Sequence, residues 1–398
     1  MVTRVTRLQT MVVGIALTSI LLLHLQLVTC ETFNILVFGG NGFIGAETVE
    51  RILSENHEVT IINRGNWRWD SEERVKPFVR HVRCDRTERL KECTDLQSMM
   101  NEKGDSLFFD FIIDFSSFHA HQISDALTAF NKRFAKYIYI STDSVYGVCD
   151  EKRHAGFSIE SDAVRPADWD KRREYSQKDG YGHDKLEGEE VLMRSDVPYL
   201  ILRLPDVIGP RDNTFRWWFY QLWIKLSYHL PSQITIPKRL FYKPLSFVYV
   251  KDVAGIITKA LYLSDSVYNE AYNLAFSEVN TLYQVLSHIR GRLGKDEINV
   301  MLDERPDYSY LFPSVTSGPV DIQKARDKLG WNPTPFYTAA DETILFYEMA
   351  INNEKFNRDA NKIIDMLKDH FGTNLRDILR ALKKEYVKSD SSIKKDEL

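Results

Sequence analysis

The chain has 398 residues, 43% of them hydrophobic, enough for one large or two medium domains with a full core. Its net charge is −4 and its pI about 6.2, with basic residues mixed among acids, so nothing in its charge asks for a nucleic-acid partner. No internal repeat or low-complexity linker interrupts it.

At the N-terminus Arg4 and Arg7 precede an apolar run from Met11 to Val28, followed by Thr29, Cys30 and Glu31. This charge, apolar core and small-residue order predicts a secretory signal peptide over 1–30, with an uncleaved anchor as the rival. Either way the positive-inside rule places the rest of the chain in the lumen.

Next comes NILVFGGNGFIG, Asn34 to Gly45, an apolar strand entering Gly39, Gly42 and Gly45 at three-residue spacing. Gly39 suits a tight turn, Gly42 a close approach of backbone to pyrophosphate, and Gly45 close packing of the helix that follows over Phe43–Ser54. The start of that helix, Phe43 and Ile44 included, directs free amides at the phosphates of a dinucleotide. The second strand, EVTII, ends at Ile62. Asn63 and Arg64 then stand where an acid would hold a free adenosine ribose. An arginine pairs instead with a 2′-phosphate, which favours NADP(H) and leaves NAD(H) possible.

A strand over Phe78–Arg83 closes on Asp85, and the apolar run FFDFIIDFSS (Phe108–Ser117) reads as a parallel strand buried on both faces. A helix around Gln122–Lys132 leads to KYIYIST, ending at Thr142. Alternating strands and helices predict an α/β fold, a doubly wound Rossmann parallel sheet with ligands at the strands' carboxyl ends. Asp85 and Phe115 fall at such ends, either against the cofactor or capping a helix and filling the sheet edge. The boundaries expected are 31–205 for the dinucleotide-binding domain and 206–350 for a smaller interleaved α/β substrate lobe. A helical tail follows over 351–398.

The set of separated motifs resembles the extended short-chain dehydrogenase/reductases, the family of nucleotide-sugar epimerases and dehydratases. It comprises GGNGFIG, STDSVYG (Ser141–Gly147), YGHDK (Tyr181–Lys185) and RLPDVIGPRD (Arg203–Asp212). SFVYVKDVA (Ser246–Ala254), YNLAF (Tyr272–Phe276) and ARDKLGWNP (Ala325–Pro333) extend it. Tyr181 and Lys185 share one helix face at i, i+4. Lys185 and an oxidised nicotinamide would favour phenolate at Tyr181, making it the base that takes a hydroxyl proton while hydride leaves the same carbon. The resemblance also implies that Lys185 holds the nicotinamide ribose and that Thr142 hydrogen-bonds the reacting oxygen. Strand alternation lets only one of Ser141 and Thr142 face the cleft.

Two departures from the family pattern bear on substrate. Dehydratases follow that threonine with an acid and a glutamate. Here Asp143 is followed by Ser144, which disfavours water elimination and leaves Asp143 as an acid of the site or a turn cap. Asp206 replaces the asparagine that commonly holds substrate, and it would repel a diphosphate, whereas Arg211 and Arg216 could receive phosphate or carboxylate. From Thr214 to Leu230 the chain is dense in aromatics. A stripe at helical spacing is more often core than pocket wall, yet Trp217 and Trp218 are adjacent and should not both point inward on a helix, so a bulky, partly apolar substrate would account for the excess. Thr281 and Gln284 form a capping box, and Phe356–Val387 reads as two amphipathic helices broken at Gly372 that pack on the protein's own surface, with a homodimer contact as the alternative.

The chain closes on Lys395, Asp396, Glu397 and Leu398, a retrieval signal for the endoplasmic reticulum, which implies the KDEL receptor as partner and lumenal residence. Cys84, Cys93 and Cys149 allow one disulfide, with Cys84 and Cys93 a candidate pair, or three buried thiols. No spacing suggests a metal site. Three functions fit: an epimerase-type NAD(P)-dependent oxidoreductase on a nucleotide sugar, an NADPH-dependent carbonyl reductase of a smaller substrate, and a non-catalytic dinucleotide-binding protein.

Overall fold

In β1 (Asn34–Phe38), Ile35 to Phe38 are buried, and the same holds for most of β4 (Phe109–Asp114) and β6 (Tyr199–Leu204). A strand without a polar face has to lie inside a sheet covered on both sides. The computed structural model describes residues 31–230, 234–304, 311–315 and 318–393. The leader 1–30 and the retrieval tetrapeptide 395–398 lie outside them.

Seven parallel strands form the central sheet in the order β10-β6-β5-β4-β1-β2-β3. The remaining members are β2 (Glu58–Asn63), β3 (Arg80–Arg83), β5 (Phe134–Thr142) and β10 (Glu270–Asn273). The strand order reverses between β1 and β4, and this switch point opens a crevice outside their carboxyl ends. Gly39 and Phe115 follow directly on those two ends.

Helices cover both faces: α1 (Phe43–Ser54), α2 (Thr94–Lys103), α3 (Ala120–Ala129), α4 (Trp169–Lys178) and α5 (Gly180–Met193) come from the first half. Here α3 lies against α5. A disulfide joins Cys84, at the end of β3, to Cys93, at the start of α2; Cys149 is a buried thiol whose pKa burial pushes up to about 12.

The second half adds α6 (Arg216–Leu226), then two small parallel pairs, β7 (Asp206–Ile208) with β9 (Phe247–Tyr249) and β8 (Ile234–Pro237) with β11 (Val300–Asp303). Its helices are α7 (Val250–Ala260), which packs on α1, then α8 (Leu282–Arg292), α9 (Gln323–Leu329) and α10 (Phe336–Ala350). The Thr281–Gln284 capping box forms as expected. Two tail helices follow, α11 (Asn357–Phe371) and α12 (Leu375–Ile393), separated by Gly372 in the left-handed conformation.

One expectation about α6 fails. Trp217 and Trp218 are both fully buried, and every residue of α6 except Arg216 and Lys225 is buried with them. Trp218 stacks on Tyr347 of α10 with centroids 5.0 Å apart, while Phe219 and Trp223 meet His370 and Phe371 of α11. The tail covers the face that a lone surface helix would leave wet, so core packing, not a bulky substrate, accounts for the aromatics.

Candidate active site

Two adjoining cavities, each of about 400 Å³, occupy the crevice. The first is lined by Gly39, Gly42, Phe43, Ile44, Gly45, Asn63, Arg64, Asp85 and Phe115. The second is lined by Thr142, Asp143, Tyr181, Lys185, Asp206 and Arg216, with Ser314 from the second half. Both share Ile44, Phe115, Phe118 and Ile140, so they form one continuous cleft.

The first cavity fits a dinucleotide. A Cβ at Gly45 would lie 2.3 Å from the Gly39 carbonyl oxygen, so only glycine lets α1 approach the turn this closely. The first turn of α1 has no side-chain cap and no acid, leaving its amide donors for a phosphate. Asn63 Oδ1 accepts from the Gly65 amide at 2.6 Å and faces His81 Nε2 at 2.9 Å; its buried Nδ2 has no partner among the described residues. Arg64 is exposed at the rim. Asp85 lines the cavity and accepts from the Thr87 amide and hydroxyl, closing a turn and not a helix end, contacts that hold it below the usual carboxylate range.

The floor of the cleft was not legible in the sequence. Asp114 is buried at the end of β4 and accepts from Arg86 Nη1 at 2.8 Å, from Tyr137 OH and Ser117 Oγ at 2.5 Å, and from the Ser116 and Ser117 amides at 2.9 Å. Burial opposes its charge, but Arg86 beside it and these hydrogen bonds bring its pKa below the ordinary value. The network fixes the Phe115–Ser117 turn, which walls the cleft. The signal available was an acid inside an apolar strand, which must find a partner when buried.

The reacting end is built by β5 and α5. Asp179 caps α5 by accepting from the Gly182 amide at 2.9 Å. A Cβ on Gly182 would sit 2.6 Å from the Ser144 carbonyl oxygen, so glycine again permits a close approach, here of α5 to the turn after Thr142. Thr142 lines the second cavity together with Tyr181 and accepts from the Ser144 amide at 3.1 Å, whereas Ser141 Oγ donates to buried Glu189 at 2.5 Å, as strand alternation requires. Lys185 Nζ donates to Ile140 O at 2.6 Å and Ser117 O at 2.9 Å. An ammonium has three donors, so one remains for a ligand.

The electrostatics differ from the expectation in one respect. Although Tyr181 as a whole is 46% exposed, the enclosure of its hydroxyl end, then Asp143, push the phenol up to about 12, against the Thr142 hydroxyl and Arg216. Burial brings Lys185 down to about 8. The lysine is therefore not what lowers the phenol's pKa in the protein alone. The Asp143 carboxyl is held well above its usual range by burial and by Asp206.

Of the substrate candidates, Arg216 and Asp206 meet as an ion pair in the cleft wall, and Asp206 also accepts from the Ser314 amide at 2.8 Å. Arg211 is a correction. It forks onto Asp70 at 2.7 and 2.9 Å and lines neither cavity, because its guanidinium matches a buried carboxylate better than open solvent. Among the described residues His183, Asp184 and Glu187 bring ligand atoms within 4.8 Å of one another. However, His183 Nδ1 accepts from Arg165 at 3.0 Å, which puts the ring proton on Nε2 facing Glu187, a donor and not a ligand.

The model of the NAD dependent epimerase/dehydratase family matches residues 35–275. Among solved structures the fold is similar to UDP-glucose 4-epimerase of Thermotoga maritima with UDP-glucose, at TM-score 0.61 and 17% identity, covering 80% of this chain and 100% of that one. It is similar to dTDP-glucose 4,6-dehydratase of Bacillus anthracis in complex with NAD at TM-score 0.61 and 18% identity, covering 82% and 99%. At such identities the likeness is one of fold. The chain is also 28% identical over 196 residues to the chloroplast stem-loop binding protein of 41 kDa b of Arabidopsis thaliana, a match spanning 47% of this chain and 45% of that relative's length.

Proposed function

The chain belongs to the NAD dependent epimerase/dehydratase family, and from that premise we propose that it is an NAD(P)-dependent oxidoreductase acting at a hydroxyl-bearing carbon of a nucleotide sugar. The observation that carries this reading is the convergence of Thr142, Tyr181 and Lys185 on one cavity that is continuous with the glycine-turn cavity. A dinucleotide bound there supplies the hydride acceptor and donor. Tyr181, as phenolate, takes the proton from the substrate hydroxyl, and Thr142 orients the same oxygen. Lys185, charged below about pH 8, spends two donors on main-chain carbonyls and offers the third to the nicotinamide ribose. Without a carboxylate at Ser144, water elimination lacks its second acid-base group.

A second reading, an NADPH-dependent carbonyl reductase of a smaller substrate, is favoured by two observations. Arg216, a cation of the second cavity's wall, is neutralised by Asp206, and Arg64 lines the first cavity with no acid beside it at residue 63. NADP(H) is accordingly the proposed cofactor of that reading. The leader and the terminal Lys395–Leu398 motif support residence in the endoplasmic reticulum lumen and engagement of the KDEL receptor.

The test is to release and identify the dinucleotide that purifies with the protein, then to follow NADPH absorbance with UDP-sugars and with simple ketones. An epimerase retains its dinucleotide and interconverts sugars without net NADPH loss; the reductase consumes NADPH stoichiometrically. Neither bound dinucleotide nor turnover of any kind would end both readings.

A further inference from the structure

Between β7 and α6 the chain passes through Arg211–Phe215, and two residues of this short loop, Arg211 and Phe215, have φ of 67° and 58°. Side-chain-bearing residues adopt such angles only when their surroundings over-determine them, and loops of this kind concentrate at functional sites. The surroundings here do so. Arg211 is forked onto Asp70, the Asp212 amide donates to Tyr347 OH at 3.0 Å, the Asp212 carboxylate accepts from the Thr214 amide at 2.8 Å, and Phe215 packs on Trp69.

The residue these anchors hold out is Asn213. It is exposed, and no hydrogen bond among the described residues occupies its carboxamide. Its Nδ2 reaches to 2.5 Å from the point that a Cβ on Gly42 would occupy, so the side chain lies over the glycine turn. It lines the first cavity, beside the N-terminus of α1. A free amide donor over a glycine turn, facing an uncapped helix N-terminus, is placed to receive a phosphate oxygen.

We infer that Asn213 is a cofactor-binding residue, closing the pyrophosphate of the dinucleotide against the glycine turn from the second half of the chain. The inference rests on the proposed dinucleotide function. It also explains the strained loop: rigid anchoring removes the entropy that ordering a mobile asparagine on binding would otherwise lose.

The test is calorimetric titration of the full chain, freed of bound nucleotide, with NADPH, NADH, ADP-ribose and adenosine. Asn213→Ala should weaken binding of the first three roughly 3- to 10-fold, the net worth of one ordinary hydrogen bond, as expected of a donor at an exposed site. Asn213→Asp, which sets a carboxylate against pyrophosphate, should weaken it by more than about 10-fold. Adenosine has no pyrophosphate and should bind both variants as it binds the wild type. Thermal melting of the variants should match the wild type, since an exposed, unpartnered side chain is removed. Equal ADP-ribose affinity in wild type and both variants, or an equal loss for adenosine, would overturn the assignment and leave the dinucleotide reading standing. Wild-type protein that binds none of the four would end the dinucleotide reading itself.

Discussion

Lys185 Nζ donates to the Ile140 carbonyl at 2.6 Å, one residue before the Ser141–Thr142 end of β5, so the lysine is tied to the strand that carries the threonine. The ammonium also lies 4.2 Å from the centre of the Tyr139 ring. The lysine thus acts as a brace between α5 and β5 as well as a ligand donor.

Tyr181→Phe should lower turnover about 10²- to 10⁴-fold while leaving the dinucleotide affinity within about twofold, read by steady-state kinetics and calorimetry. Lys185→Met should differ, weakening dinucleotide binding and lowering the melting temperature, because two main-chain carbonyls lose their donor. With the phenol pushed up to about 12, hydroxyl oxidation should speed up as pH rises through the neutral range, and carbonyl reduction, which needs the protonated phenol, should not. A Tyr181→Phe protein with full activity would remove the phenol from the mechanism.

Asp143 gives a pH signature in stability. Its folded pKa is raised, first by burial and then by Asp206, so between the ordinary carboxylate value and the raised one the folded state binds more protons than the unfolded. Stability from this group is therefore full at low pH and falls as pH rises through that window. Asp143→Asn removes the ionisation. The variant should melt a few degrees above wild type at pH 7, and the gap should close toward about pH 4. Scanning calorimetry across that range would show the opposite trend if Asp143 were a stabilising carboxylate.

Under the cleft, Arg203 and Glu189 form a buried pair, with Arg203 Nη2 2.6 Å from Glu189 Oε2. Arg203→Met leaves a carboxylate buried without its cation and should destabilise by about 3–5 kcal/mol in urea unfolding. Replacing both by methionine should recover most of that loss. An additive double variant would mean that the pair is not coupled.

The Cys84–Cys93 disulfide closes a loop of nine residues' separation. Chain-entropy reasoning gives about 2–3 kcal/mol for a loop of that length. Reduction, or Cys84→Ser with Cys93→Ser, should lower the melting temperature by several degrees. Cys84 also lines the first cavity, so dinucleotide affinity should fall together with stability.

The glycine turn, the parallel strands and the shared helix face of Tyr181 and Lys185 could be read from the sequence because each rests on short-range rules, whereas placing Thr142 beside them came from the resemblance of the separated motifs. A strand buried on both faces must be apolar throughout, a turn at a phosphate must be glycine, and residues four apart on a helix share a face. What folding alone decided were the partners of groups free to choose among many. Arg211 found Asp70, 141 residues away, rather than a ligand, and the tryptophans of α6 found Tyr347 and the tail rather than a substrate. Asn213 came to lie over Gly42 by the same route. A side chain's type restricts the kind of contact it can make, but which contact it makes depends on what packing brings within a few ångströms, and no local pattern encodes that distance.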